Sequence, residues 1–468
     1  MNGNSKDFVN DNQSCDAVQE DVQMDRPAND NDDNDEGTFY VVENPSTILD
    51  DYVYNYLNTA LYQRLAYIAD CCPPLRLEIL EHAVFVTSRA PFVYQFFHHR
   101  LAVEITNAKR LQYELPPLDT KRIKEQQEKS ASTIARMENS LRFYEKTGVK
   151  ACIYRIHNEL AEHYMQIGNI CNALKWFLKA QDYCVNAKQV ISTNQNLINI
   201  AVFQQDWSRV LSYVTKTEQT PGFREELMKD EKIFTLLKCA AGVAQLSTKN
   251  FKAAAHSFLQ TCWDCCEFSD IVSPGDVAIY GGLCALATFN RSELHYFVII
   301  NTNFREILED EPPIREAILN FYQSRFPACK QLLDRMRGRL LLDIYLAPHV
   351  STLYAKIRSR GLVQYCIPYV SVDIRRMAQT FDRTVPAIEE ELVRLILDGQ
   401  IEALIDSVNK VLYAKKKDPK KTALAKGLAV GKEHLRSAQM LVLRVAMLKS
   451  GIEVQSPVEQ IEDMQVEK

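Results

Sequence analysis

The sequence predicts an all-α chain with one small β wing. A right-handed, TPR-like helical-repeat solenoid leads into a winged-helix module, and a single C-terminal helix follows. Three observations predict this. Glycine is scarce, 15 in 468 residues, and long helices tolerate few glycines. Three segments, at Asn169, Asp206 and Asn250, share one apolar spacing and start 37 and 44 residues apart. Two amphipathic helices and an alternating hairpin then follow in the order helix, turn, helix, hairpin.

Length and charge set the frame. A chain of 468 residues has room for about three domains. Its 46% apolar and 25% charged residues are those of a soluble globular protein. The formal charge of −5 suggests no polyanion partner. Residues 1–36 carry eleven Asp/Glu against Lys6 and Arg26, a net of −9, which leaves +4 on the rest. The stretch PANDNDDNDEG has little to bury, so residues 1–37 are expected to be a disordered acidic tail. No basic n-region with an apolar run is seen at the start, and no stretch approaches a membrane span. Thirteen scattered cysteines fit reduced thiols in cytosol or nucleus. Cys262-Trp263-Asp264-Cys265 lacks the second pair that a structural zinc needs.

The solenoid is expected over residues 38–300. In NICNALKWFLKA, DWSRVLSYVTK and NFKAAAHSFLQ the apolar positions are Ile170, Ala173, Leu174, Phe177; Trp207, Val210, Leu211, Val214; and Phe251, Ala254, Ala255, Phe258. Each set is one face of a helix. Another helix precedes each, so the unit is a helix pair, and pairs of this period must stack to cover their apolar faces. His98-His99 reads as a surface pair, with no ligand spaced to match. Gly281-Gly282 lacks the lysine and serine of a phosphate loop and reads as a close helix contact.

The next domain is placed at 301–414, with its winged helix at 351–414. Ile374, Met377, Ala378 and Phe381 form the inner face of a first helix, which Ser371 is expected to cap. Val385, Ile388, Leu392, Leu395 and Ile396 do the same for a second, which Thr384 is expected to cap and Gly399 to end. Ile401, Ala403 and Ile405 alternate along one hairpin strand, and Val411 and Tyr413 lie on the other. A DNA reader would put the second helix in the major groove. Here it carries Glu389, Glu390, Glu391 and Asp398 against Arg394 alone, so phosphate is a poor match. The module is therefore expected to bind protein, pairing sheet edge to sheet edge. Lysines 415, 416, 417, 420 and 421 fall in a basic linker, 415–421. It reads as a solvated linker, with nuclear import and a nucleic-acid contact as alternatives. The C-terminal helix is expected over 422–450, before a flexible tail at 451–468. Leu424, Leu428, Gly431, Leu435, Ala438, Val442 and Val445 make a heptad seam, expected to dock in a multi-chain bundle, with packing back on the solenoid as the alternative.

A solenoid, a winged helix and a terminal helix in this order resemble the PCI-domain proteins. The strings Leu340–Phe381, Glu391–Ala414 and Gly431–Pro457 carry the resemblance, which covers most of the chain from about residue 45. They look like the signalosome branch, with the proteasome lid as the second choice. The resemblance implies a scaffold subunit that works beside other signalosome subunits of PCI and MPN type. The cullin–RING ligases are the substrate of the whole complex, which removes Nedd8 from cullins. It implies no cofactor, no membrane and no specific nucleic acid, and expects both nucleus and cytoplasm. Hydrolysis in that family belongs to a zinc-bearing subunit. The His-x-His with downstream Ser and Asp of such a site is missing from this sequence. The acidic tail and the KKKDPKK loop lie outside the family pattern.

Overall fold

The computed structural model describes residues 56, 58–87, 91–107, 120–227, 231–262, 271–415 and 419–451. The expectations for the acidic tail, the Trp263–Cys266 part of the cysteine cluster, Lys416, Lys417 and the C-terminal tail lie outside them. Three helices open the chain: α1 (Asn58–Cys71), α2 (Arg76–Val86) and α3 (Pro91–Asn107). The helix pairs follow as α4 (Thr120–Thr147), α5 (Lys150–Ile167), α6 (Ile170–Gln181), α7 (Ala187–Phe203), α8 (Trp207–Glu218), α9 (Phe223–Leu227), α10 (Glu231–Ser247) and α11 (Phe251–Leu259). Next come α12 (Pro274–Thr288), α13 (Arg291–Leu294), a π-helical turn His295–Ile299, α14 (Thr302–Ile307), α15 (Pro312–Tyr322), α16 (Phe326–Leu341) and α17 (Val350–Cys366). The winged helix is β1 (Ser371–Asp373), α18 (Ile374–Thr380), α19 (Val385–Leu397), β2 (Ala403–Asp406) and β3 (Val411–Ala414), and α20 (Pro419–Lys449) comes last.

The repeat is built on a shared turn. Gly168, Gln205 and Lys249 adopt positive φ, and the next residue sends its N–H back five residues to Tyr164, Ala201 and Gln245. That bond satisfies a carbonyl orphaned at each helix end. The same next residues, Asn169, Asp206 and Asn250, cap the following helices by accepting from the N–H of Asn172, Arg209 and Ala253. Ser324-Arg325 makes a fourth such turn, from Arg325 N–H to Asn320, without an Asn or Asp at the cap. The twelve apolar positions read from sequence are buried except Leu174, Trp207 and Leu211, which are half-buried and pack on the core.

One apolar core runs unbroken from Ile191 in α7 to Leu412 in β3. Gly281 and Gly282 sit within it on α12. A methyl on Gly282 would stand 2.6 Å from Ile314, and one on Gly281 3.0 Å from Phe304, so the absence of Cβ is what brings α14 and α15 onto α12. The close-contact reading of this pair holds. His98 departs from expectation: it is buried on α3 against the Tyr94 ring, and only His99 is exposed. α1–α3 form their own core, closed by Leu342 from the end of α16.

Sequence periodicity did not reveal the buried ionic joint beneath α1. Arg64, 1% exposed, lies 3.5 Å from Asp276 and 3.3 Å from Asp343. Its guanidinium stacks 4.1 Å above the Tyr56 ring. Tyr56 Oη donates to Asp276 and Tyr280 Oη to Asp343, each at 2.5 Å. Asp343 also accepts from the N–H of Tyr345 and Leu346, and Asp276 from that of Ser273. Burial pushes the Asp276 carboxyl up, and Arg64 opposes that rise. Only with these partners does a charge belong in such a place. The joint ties α1 to α12 and to the segment before α17.

Candidate assembly surface

The wing is a three-stranded antiparallel sheet in the order β1-β3-β2. β1 corrects the sequence reading. Ser371 pairs with Tyr413 in the sheet, and Asp373 caps α18 by accepting from Arg375 N–H at 2.9 Å. Thr384 stands at the start of α19 but makes no side-chain cap bond, while Gly399 takes φ +70° at the end. The Asp406 carboxylate accepts from Asn409 and Val408 at the hairpin turn, which holds it below the ordinary carboxylate range. Lys410, at φ +58°, completes that turn.

The order of strands decides which edge is free. β3 is central, so Val411 and Tyr413 have strands on both sides and offer no backbone edge; β1 and β2 are the two edge strands, and β2 carries the predicted residues. Lys415 N–H bonds Glu402 C=O, which makes 402–415 and 404–413 the hydrogen-bonded pairs of the ladder. The alternation of an antiparallel ladder then turns the N–H and C=O of Ala403 and Ile405 outward. Their side chains go the other way: Ile401 and Ala403 are buried and Ile405 packs on the core. Ala403 and Ile405 therefore offer backbone and not side chain, and Ile401 sends its N–H to Leu395 C=O. Leu404 and Tyr413, opposite each other, form the exposed face, with Val408 at the tip.

The carboxylates of α19 are not all outward. Lys410 Nζ lies 2.8 Å from Glu389, clamping the hairpin to the helix, and Arg358 of α17 lies 2.7 Å from Glu391. α19 exposes Pro386, Glu390, Val393, Arg394 and Leu397, the last 80% exposed, and Asp398 is exposed just after it. This face is close to neutral and partly apolar. It still lacks the cations a phosphate wall requires, but by mixture and not by a row of acids.

α20 is the largest exposed apolar feature among the described residues. Leu424, Leu428, Leu435, Val442 and Val445 are all exposed, as are Met440, Leu441, Leu443 and Leu448. The helix begins at Pro419, three residues before the expected start, and is 31 residues long. It therefore measures about 46 Å. Its sequence holds seven Lys/Arg and one Glu. Among the described residues no group of three or more His, Cys, Asp or Glu is placed to hold a metal ion. Burial pushes the thiols of Cys284, Cys329 and Cys366 up to about 12, away from the nucleophilic thiolate. No helix among the described residues is long and apolar enough to cross a membrane.

Comparison with known proteins fits this architecture. A family model described as "PCI domain" matches residues 330–416, and one described as "26S proteasome subunit RPN7" matches residues 119–296. A Drosophila melanogaster protein named COP9 signalosome complex subunit 1b is 38% identical over 93% of this chain and 92% of its own length. The chain belongs to the signalosome subunit 1 family. An Arabidopsis thaliana protein, COP9 signalosome complex subunit 1, is 40% identical over 67% of this chain and 70% of its own. A Caenorhabditis elegans protein, 26S proteasome non-ATPase regulatory subunit 6, is 26% identical over 55% of this chain and 64% of its own. In this signalosome family member, the seam on α20 is exposed and β2 lies at an edge of the sheet.

Proposed function

We propose that the chain is a non-catalytic scaffold subunit of a signalosome complex, supporting the removal of Nedd8 from cullin–RING ubiquitin ligases. Hydrolysis falls to another, zinc-bearing subunit. The observation that carries this reading is α20: an exposed apolar helix attached to a folded domain needs other helices to cover it. The β2 edge supports it by offering a second, geometrically different contact to a neighbouring winged helix. The partners are other signalosome subunits of PCI and MPN type. The reading places the chain in nucleus and cytoplasm, where tagged protein should be seen in both; confinement to one removes that part.

The test is complementation. Cells depleted of this chain should accumulate Nedd8-modified cullin. Wild-type chain should restore the unmodified form, and Ala403→Pro should restore it poorly. Proline there removes an outward N–H and leaves the ladder to β3 intact. Purified chain alone should show no isopeptidase activity, with or without chelator. Activity in the isolated chain, or cullin modification that ignores its depletion, ends the proposal. The proteasome family model over residues 119–296 favours a second reading, a subunit of the 26S regulatory lid. Mass identification of co-purified chains separates the two.

A further inference from the structure

A cleft of about 570 Å³ opens between α16, α17 and the turn that joins α18 to α19. Pockets of that size take a ligand or a peptide segment. Phe326, Leu333, Tyr354, Ile357 and Phe381 form its apolar floor. Phe326 stacks on Phe381 at 5.2 Å, so the floor spans the helical layer and the winged helix. Lys330, Arg337, Arg358 and Arg383 supply the charge. Two of them are paired, Lys330 with Asp382 at 2.8 Å and Arg358 with Glu391 at 2.7 Å. Arg337 and Arg383 are exposed and have no ion-pair partner among the described residues. Asp334 is the one lining carboxylate outside those pairs. The surrounding chain has the same sign. Residues 325–383 hold eleven Lys/Arg against four Asp, a net of +7.

We propose that residues 48–51 of this chain, Ile-Leu-Asp-Asp, dock in the cleft as a strap between the helical layer and the winged helix. Ile48 and Leu49 cover the apolar floor, and Asp50 and Asp51 pair with Arg337 and Arg383. Position selects this occupant. The described chain starts at Tyr56, which is buried and held to Asp276 in a cavity that Arg339 of α16 also lines. Arg337 lies only about 3 Å further along α16. The six residues from Asp50 to Tyr56 span up to about 20 Å. Composition agrees. Residues 40–55 hold eight Val, Ile, Leu or Tyr side chains, three Asp/Glu and no Lys/Arg. Residues 1–36 are more acidic, but nowhere do two apolar residues lead directly into two carboxylates. Residues 452–468 follow the far end of α20. Exposed ion pairs are individually weak. Here the ligand is tethered beside its site, and the effective concentration of a short tether offsets that weakness. The strap is independent of the scaffold reading. It fixes the winged helix from the N-terminal side of the chain.

The test uses the full-length chain with a photoreactive benzoylphenylalanine in place of Ile48. After irradiation, the cross-linked peptides are mapped by mass spectrometry. The adducts should fall on α16 and α17 of the same molecule. Arg337→Glu with Arg383→Glu should lower their yield about fivefold. Adding Asp50→Arg with Asp51→Arg should restore it to within about twofold, which a merely unfolded variant would not do. Arg337→Gln with Arg383→Gln is the milder pair and should lower the yield about twofold. Thermal unfolding of each chain checks the fold, and the milder pair decides if the reversed one does not fold. Adducts on a second copy, on another protein or on α20 would overturn the strap. So would a yield that ignores the charge of residues 337 and 383, or one that removal of residues 1–36 abolishes.

Discussion

Arg64 shows how much a single buried cation can organise. It faces two carboxylates and two aromatic rings, and it joins α1 to elements more than 200 residues away. Arg64→Met leaves Asp276 and Asp343 buried without their cation, a change that costs about 3–5 kcal/mol in comparable sites. Urea unfolding should show that loss, and adding Asp276→Asn and Asp343→Asn should recover more than half of it. Two histidines give the chain an acid-sensitive side. His157 lies between Trp176 and Tyr183, and His349 meets Phe251; each Nδ1 is buried without a partner. Burial lowers both, with Lys179 and Lys249 adding to it; Glu145 opposes at His157. The unfolded chain takes up protons near pH 6.5 while the folded chain does not, so stability falls as pH falls from about 7 toward 5.5. His157→Phe with His349→Phe should flatten that slope in a series of melting temperatures.

Elements are held by repeated local devices. Asp206→Ala removes the cap of α8 and should cost about 1 kcal/mol. Gly282→Ala forces a methyl against Ile314 and should cost about 1–3 kcal/mol, read from the urea midpoint. Much of this level was legible in the sequence. Asn169, Asp206 and Asn250 announce their helices because an Asx oxygen suits an orphaned N–H, and Gly281-Gly282 announces close packing. The fourth turn, at Ser324-Arg325, was hidden because Arg325 offers no such oxygen. β1 was hidden for another reason: three residues are too few to show alternation, and Ser371 suits a cap as well as a strand. Missing β1 placed β3 at an edge, when it is the middle strand. The pairing of Glu389 and Glu391 was equally invisible, because Lys410 and Arg358 approach them from 21 and 33 residues away.

At the scale of the molecule, covered and uncovered apolar surface are sharply divided. A single core runs through α7 to β3, whereas α20 carries ten large exposed apolar residues on one helix. The heptad spacing of Leu424, Leu428, Leu435, Val442 and Val445 was readable in the sequence, and the structure leaves these side chains exposed. On the proposed scaffold reading, other chains cover the exposed surface of α20. The measurement that tests this most directly is the native mass of the species formed in cells by the full chain and by the chain ended at residue 418. The full chain should be recovered in a large multi-subunit assembly, and the shortened chain should be recovered folded but alone or with few partners. Recovery of the shortened chain in an assembly of unchanged mass and composition would contradict the account.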